Sequence, residues 1–373
     1  MVLLTAARLR RARFASLGLS QPTAPTAEAV VGRLGAVQGQ DLPGVLWSLA
    51  SRTRSCTVAD VRAEFTAGRL VRGWPMRGTL HVVRPVDLAA FTNLTSPRVI
   101  RSMAATDRRL GLTPAVIEGA CESVLGGLAE RGSLDRQALR GLIAESGVST
   151  TPAQRVSHVV YHLAARGLIC LGPFAGTTQL FVDARRWCGS APSDSDREQE
   201  ADLSRLLLAY ISGHGPVSAA DAARWFGLPI TLIRSALASL DDRLMTVETP
   251  SGPQWMAASA LSEEILIASE KPVPVRLLAG FDEYMLGYVD RGFAVPAGRL
   301  DEIVPGGNGM FRATITVSGT VAGIWTKQNS GRVIGLEPFR ELSAAAMHGI
   351  VREARRYAAA WELPADPRIS LRG

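Results

Sequence analysis

Residues 151–187 read "TPAQRVSHVVYHLAARGLICLGPFAGTTQLFVDARRW", a helical segment ending at Gly167 and then two strand-like segments. Upstream lie two more helices, "TPAVIEGACESVLGGLAERG" with Pro114 near its start and "SLDRQALRGLIAESG" capped by Ser133. Helix–helix–helix–hairpin is the order of a winged helix, a helix-turn-helix variant. The same order recurs on either side. The first copy runs through "TAEAVVGRLGAVQ", where Val30, Val31, Leu34 and Val37 mark a buried helical face. It continues through "LPGVLWSLASR", with Asp41 as N-cap, and "TVADVRAEFTAGRL", with Thr57 as cap, to a hairpin in "LVRGWPMRGTLHVVR". The third copy places helices in "EADLSRLLLAYISGHG", "SAADAARWFG" and "PITLIRSALASLDD" before the hairpin "LMTVETPSGPQWMAA".

From about residue 272 the texture changes. "MFRATITV", "TVAGIWTKQ" and "RVIGLEPF" read as strands joined by turns at Ser318-Gly319 and Asn329–Gly331. A small β-barrel or curled sheet is expected there, closed by the helix "ELSAAAMHGIVREARRYAAAW". "REQEADL" and "SEEILIASEKPVP" read as linkers. The expected fold is α+β: a first winged helix with a helical extension over 1–110, a second over 111–195, a third over 196–270, and a barrel with its C-terminal helix over 271–373.

Charge gives weaker guidance. There are 41 basic and 34 acidic residues, a net +7 that leans toward a polyanion such as nucleic acid. Lys271 and Lys327 are the two lysines, so the excess is arginine, and composition alone could produce it. Arg8, Arg10, Arg11 and Arg13 favour a basic first helix over a transit peptide. No apolar run approaches a membrane span, and a cytoplasmic protein associated with the nucleoid is expected. Cys56, Cys121, Cys170 and Cys188 form no CxxC and read as small hydrophobes.

Chemistry-bearing motifs are sparse. His158 and His162 stand at i and i+4, the spacing of two metal ligands on one helix face. No Glu fills an HExxH slot and no carboxylate is near in sequence, so they read as core or backbone-bonding histidines, with no metal and no cofactor expected. "GPFAGTTQ" lacks a P-loop lysine, and "PGGNGM" leads into a strand rather than a helix. Asp282, Glu283 and Asp290, beside Tyr284 and Tyr288, suit either acid–base chemistry or a solvated turn with ion pairs that include Arg291. On the first hairpin, Arg72, Trp74, Arg77 and His81 are candidate DNA contacts. The arginines would meet phosphates and Trp74 would stack or anchor the core, while alternation sets Arg77, Thr79 and His81 on one face. In "LGAVQGQDLPGVLW", residues 34–47, Gln38 and Gln40 point about 200° apart if the helix continues. They converge only if it ends near Gly39. Otherwise they are solvated loop glutamines.

"VQGQD", "WPMRGTLHVV", "LLAGFDEYMLGYVDR" and "GNGMFRATITVSGTVAGIW", in this order, resemble the winged-helix DNA glycosylases of the AlkZ/YcaQ type over essentially the whole chain. The resemblance implies three tandem winged helices and a β-barrel around a C-shaped basic DNA channel. It implies excision of alkylated purines and unhooking of interstrand crosslinks, in the branch that protects antibiotic producers from agents such as azinomycin. Gln38 and Gln40 match its Gln–aliphatic–Gln signature as the catalytic pair, with Gly39 in place of the aliphatic residue. Asp41 is expected to have its carboxylate occupied in capping. Implied are a monofunctional, cofactor-free enzyme and a partner that is double-stranded DNA carrying alkylated or crosslinked purines. A hairpin near Pro305–Gly309 or Ser318-Gly319 would probe the minor groove. The rival reading is a non-enzymatic winged-helix regulator, but three unlike modules argue against its two-fold symmetry and for a monomer.

Overall fold

Each of the three helix–helix–helix–hairpin series is present in the computed structural model, which describes residues 2–189 and 195–371. Compactness cuts across the series: residues 1–61 and 207–373 form one unit and residues 62–206 another.

The 62–206 unit holds the long helix Pro85–Leu110 and the helices Pro114–Arg131, Arg136–Glu145 and Gln154–Ala165. Two hairpins, Val71–Met76 with Thr79–Val83 and Ile169–Ala175 with Thr178–Asp183, pair edge to edge through Arg72 and Leu171. Ile117, Val124, Leu139, Val159, Leu163 and Phe181 fill the core between helices and strands, and Cys121 is buried with them. Two readings are corrected. The second helix is capped by Asp135, whose Oδ1 accepts the Ala138 N–H at 2.7 Å, rather than by Ser133. "REQEADL" is no linker but the start of a helix, Asp196–His214, whose polar first turns reflect exposure.

In the other unit, the hairpin Leu244–Thr249 and Gly252–Ala257 gains a third strand, Val2–Leu3, in parallel register with Val247 and Glu248. The first helix, Ala6–Ser16, spends its arginines on contacts within the protein, although Arg13 is the buried one of the four. Arg13 donates to Pro216 O at 3.0 Å and Gln254 Oε1 at 3.1 Å, Arg11 donates to Glu270 O at 2.9 Å, and Arg8 pairs with Glu270 at 3.3 Å. "SEEILIASEKPVP" likewise begins inside a helix, Ala260–Ala268.

The C-terminal strands form a five-stranded sheet in the order Arg368–Leu371, Val333–Pro338, Thr320–Gln328, Thr314–Val317, Arg276–Leu278. Ser318 and Gly319, both at positive φ, make the expected tight turn. The expected barrel is not closed: among the described residues the sheet keeps two edges, at Arg276–Leu278 and Arg368–Leu371. The last strand arrives parallel, after the helix Ala344–Ala360, and the other edge is three residues long, too little to seal a cylinder.

Arg52 ties this unit together. Its guanidinium meets Asp282 with two bonds, of 2.8 and 3.0 Å, and also donates to Leu17 O and Ser48 O at 2.8 and 2.9 Å. Both partners are buried and fully hydrogen-bonded, the condition under which an interior ion pair is tolerable. Asp282→Ala would strand the Arg52 charge and is expected to lower stability by about 3–5 kcal/mol, read from denaturant unfolding followed by far-ultraviolet circular dichroism. A loss well under 1 kcal/mol contradicts this.

Candidate active site

The helix carrying Val30 and Val31 stops at Leu34, where Gly35 turns with φ +81°. That is four residues before Gly39, and Val37 lies not on a helix but in the extended pair Val37–Gln38. The Gln38–Gln40 segment is therefore a connector between two helices, ending at Asp41, the N-cap position of Leu42–Ala50. Gln38 is buried and Gln40 is exposed. The 200° helical divergence no longer applies.

What fixes the connector is a carboxylate 245 residues away. Glu283 Oε1 accepts the Gln38 backbone N–H at 3.0 Å, while Oε2 accepts from Trp225 Nε1 at 2.9 Å and faces His214 Nε2 at 3.2 Å. The other His214 nitrogen faces Tyr210 O at 3.0 Å, so the ring bridges two acceptors. His214 closes the helix Asp196–His214. Tyr210 stacks on the imidazole at 4.5 Å, and the Tyr288 hydroxyl donates to His214 O at 2.7 Å. Burial alone would raise the Glu283 carboxyl. The hydrogen bond and charge of His214, with the Trp225 and Gln38 N–H groups, outweigh it and hold the pKa at about 2.

The acidic cluster thus has the ion pairs of the turn reading, with other partners than Arg291, but for Asp282 and Glu283 not its solvation. Asp282 and Glu283 are 1% and 0% exposed, bonded to Arg52 and to His214, Trp225 and Gln38. Only Asp290 is solvated, taking the Gly292 N–H at 2.7 Å, and Arg291 donates to Met285 O instead of joining the pairs. Phe281, just before them, is held at φ +59°, a strained value for a bulky residue that the two flanking buried networks maintain.

Asp41 departs from expectation in another way. It occupies the cap position, yet its side chain makes no capping bond. The absent side chain of Gly44 leaves room for its Oδ2, and the carboxylate lines a cavity of about 100 Å³ with Trp47, Trp325, Lys327 and Tyr357. Burial and the Asp41 charge push the Tyr357 hydroxyl up to about 12. Lys327, remote in sequence, thus shares a cavity with the residue next to Gln40, its ammonium 5.6 Å over the Trp361 ring.

The first hairpin is laid out differently from its reading. Arg77 and Gly78, both at positive φ, form the turn, so Arg77 is not on a strand face. His81 Nδ1 donates to Thr79 O at 2.8 Å and its Nε2 accepts from Arg77 at 2.9 Å. His81 is buried, Arg72 is buried against Gln179 Oε1 at 3.1 Å, and Trp74 packs on the core. Of the four, Arg77 and Trp74 keep partial exposure. His158 and His162 bond not to backbone but to Asp107 Oδ1, each at 2.7 Å, a carboxylate that sequence spacing could not bring to them. Among the described residues no helix is long and apolar enough to cross a membrane.

Comparison with known proteins bears on the family and the fold. A family model described as DNA glycosylase AlkZ-like matches residues 31–360. An interstrand DNA cross-link repair glycosylase of Streptomyces sahachiroi is 26% identical over 348 residues, 92% of each chain. The solved structure of Streptomyces sahachiroi DNA glycosylase AlkZ has the same fold, with a TM-score of 0.80 at 23% identity and 100% coverage of both chains. A sequence-reading regulator finds no support in these matches.

The Glu283 site makes an acid prediction. A carboxylate depressed from 4.5 to about 2 in the folded state contributes its stability above pH 4.5 and loses it as pH falls toward 2. Urea midpoints measured between pH 6 and pH 2.5 are expected to hold above 4.5 and to drop steadily below it. A flat profile down to pH 2.5 contradicts the pairing.

Proposed function

The chain belongs to the AlkZ-like DNA glycosylase family, and on that premise we propose that Gln38 and Gln40 hold the water that hydrolyses the N-glycosidic bond of N7- and N3-alkylated purines, interstrand crosslinks included. The observation that carries this reading is the clamped connector: Gln38 is tied by its own backbone to buried Glu283, and the exposed Gln40 follows two residues later.

An N7- or N3-alkylated purine is already cationic, so the C1′–N bond breaks with the electron pair going to a base that leaves neutral. Little general acid is needed. The transition state resembles an oxocarbenium ion, which sugar hydrolases meet with two carboxylates. Here one water must be held against C1′, and an amide can accept from it while donating to a phosphate or sugar oxygen. The Asp41 carboxylate, unoccupied by capping, supplies a negative field for the developing cation. Undamaged bases, as poor leaving groups, are spared. Lys327 is held over Trp361, and base release without strand cleavage is the expected outcome.

In this reading the three helix–hairpin series are winged-helix modules over 1–110, 111–195 and 196–270, acting as a monomer on double-stranded DNA in the cytoplasm. Arg77, propped by His81 at the hairpin tip, is the phosphate contact, with Trp74 beside it. Arg72 and His81 act from behind by fixing that hairpin.

Release of 7-methylguanine from methylated duplex, and alkali-revealed breaks in crosslinked duplex, test the proposal. Gln38→Ala and Gln40→Ala are each expected to slow single-turnover release by about 100-fold, the scale of losing one positioned transition-state contact, with DNA affinity unchanged. Undiminished release by the double variant rejects the assigned roles. Asp41→Asn is expected to slow release by about tenfold, the equivalent of ~1.4 kcal/mol. An unchanged rate removes Asp41 from the mechanism.

A further inference from the structure

The geometry points to a divalent transition-metal site, with zinc as its occupant, at Asp107, His158 and His162 in the 62–206 unit. It is separate from the glutamine connector and does not rest on the glycosylase reading. Three donor atoms, two imidazole Nε2 and one carboxylate oxygen, lie within 4.8 Å of one another. They come from two helices. His158 and His162 are one turn apart on Gln154–Ala165, and Asp107 is in the last turn of Pro85–Leu110. Two imidazoles with one carboxylate form the donor set of three-ligand zinc sites, which leave a fourth position open.

Two further observations bear on the site. A cavity of about 410 Å³ opens onto Asp107, lined also by Ala104, Arg108, Gly111, Thr113 and Ile117 and by neither histidine, so it reaches the cluster from its carboxylate side. His162 is 3% exposed, and its Nδ1 has no hydrogen-bond partner among the described residues. Arg166, one turn along the helix axis from His162, pairs with Glu118 at 2.8 Å.

In the present arrangement both imidazoles donate Nε2–H to Asp107 Oδ1 at 2.7 Å. Coordination moves each ring proton to Nδ1 and frees Nε2 for the metal. With bonds of 2.0–2.1 Å at tetrahedral angles, the ligand atoms would stand roughly 3.3 Å apart, so the carboxylate must swing back by about 0.6 Å, a side-chain rotation. The His162 Nδ1–H would then lack the outer acceptor that metal-bound histidines normally have, a loss of about 10–100-fold in affinity. A dissociation constant on the order of micromolar follows, tight enough to join the two helices and weak enough to exchange.

The test uses the full-length chain stripped with EDTA and dialysed. Zinc titration against a colorimetric chelator is expected to give one equivalent bound with a micromolar constant, and no response to magnesium or calcium, which prefer oxygen ligands. Cobalt is expected to give the visible absorption of a four-coordinate ion. Asp107→Asn and His158→Gln are each expected to weaken zinc by more than about tenfold, with circular dichroism in EDTA confirming the fold. His158→Gln keeps a donor toward Asp107 on a half-buried position, so it serves if Asp107→Asn unfolds. No wild-type binding below 0.1 mM, or binding retained by a folded His158→Gln, overturns the site and leaves a carboxylate that merely accepts two imidazole N–H groups.

Discussion

A carboxylate with no access to water is costly to keep ionised, by several kcal/mol, unless every oxygen is met by donors. Glu283 meets that demand with groups from three separate stretches: the Gln38 backbone, His214 at a helix end, and the Trp225 indole. Removing any one exposes the others to an uncompensated charge. The position of the glutamine connector is thereby coupled to the interior of its unit rather than to solvent. A connector with glycine at its centre would otherwise have little reason to hold one conformation. Asp282, the adjacent residue, fastens the following helix through Arg52 and Ser48. Two neighbouring acids thus hold the connector and the helix after it.

Such an arrangement suits the chemistry of a cationic leaving group. Where the base departs without needing a proton, precise placement of water matters more than a titrating side chain, and in the proposed mechanism neutral amides on a rigid backbone supply it. The titrating groups serve rigidity instead: Glu283 is ionised to position a backbone N–H, and no reacting atom need touch it.

Periodicity made most of the fold legible. The helix series stands out because apolar residues recur at helical spacing and because caps such as Thr57 and stops such as Gly167 are chemically marked. The Ser318-Gly319 turn was readable for the same reason. What stayed hidden was whatever depends on distant partners. Strands of two and four residues, Val2–Leu3 and Arg368–Leu371, carry no pattern of their own and exist because a parallel neighbour is presented to them. In "FDEY" the two acids look solvated, since Arg52 and His214 lie 230 and 69 residues off. Gln38 and Gln40 were legible as a pair only through family resemblance. Their local geometry misleads, because Val37 keeps helical spacing beyond Gly35, the glycine that ends the helix. Arg72 and His81 look like outward DNA contacts on the hairpin, whereas a bond to Gln179 buries Arg72 and a bond to Thr79 O on its own strand holds His81 inward.

The central claim is that buried Glu283 sets the position of the connector proposed to be catalytic. Single-turnover base release by Glu283→Gln, at neutral pH and with the fold verified by circular dichroism, tests it most directly. The account predicts a folded but less stable variant that binds damaged duplex as the wild type does and releases base at least about tenfold more slowly, the kinetic equivalent of ~1.4 kcal/mol. A folded Glu283→Gln with an unchanged rate would contradict it.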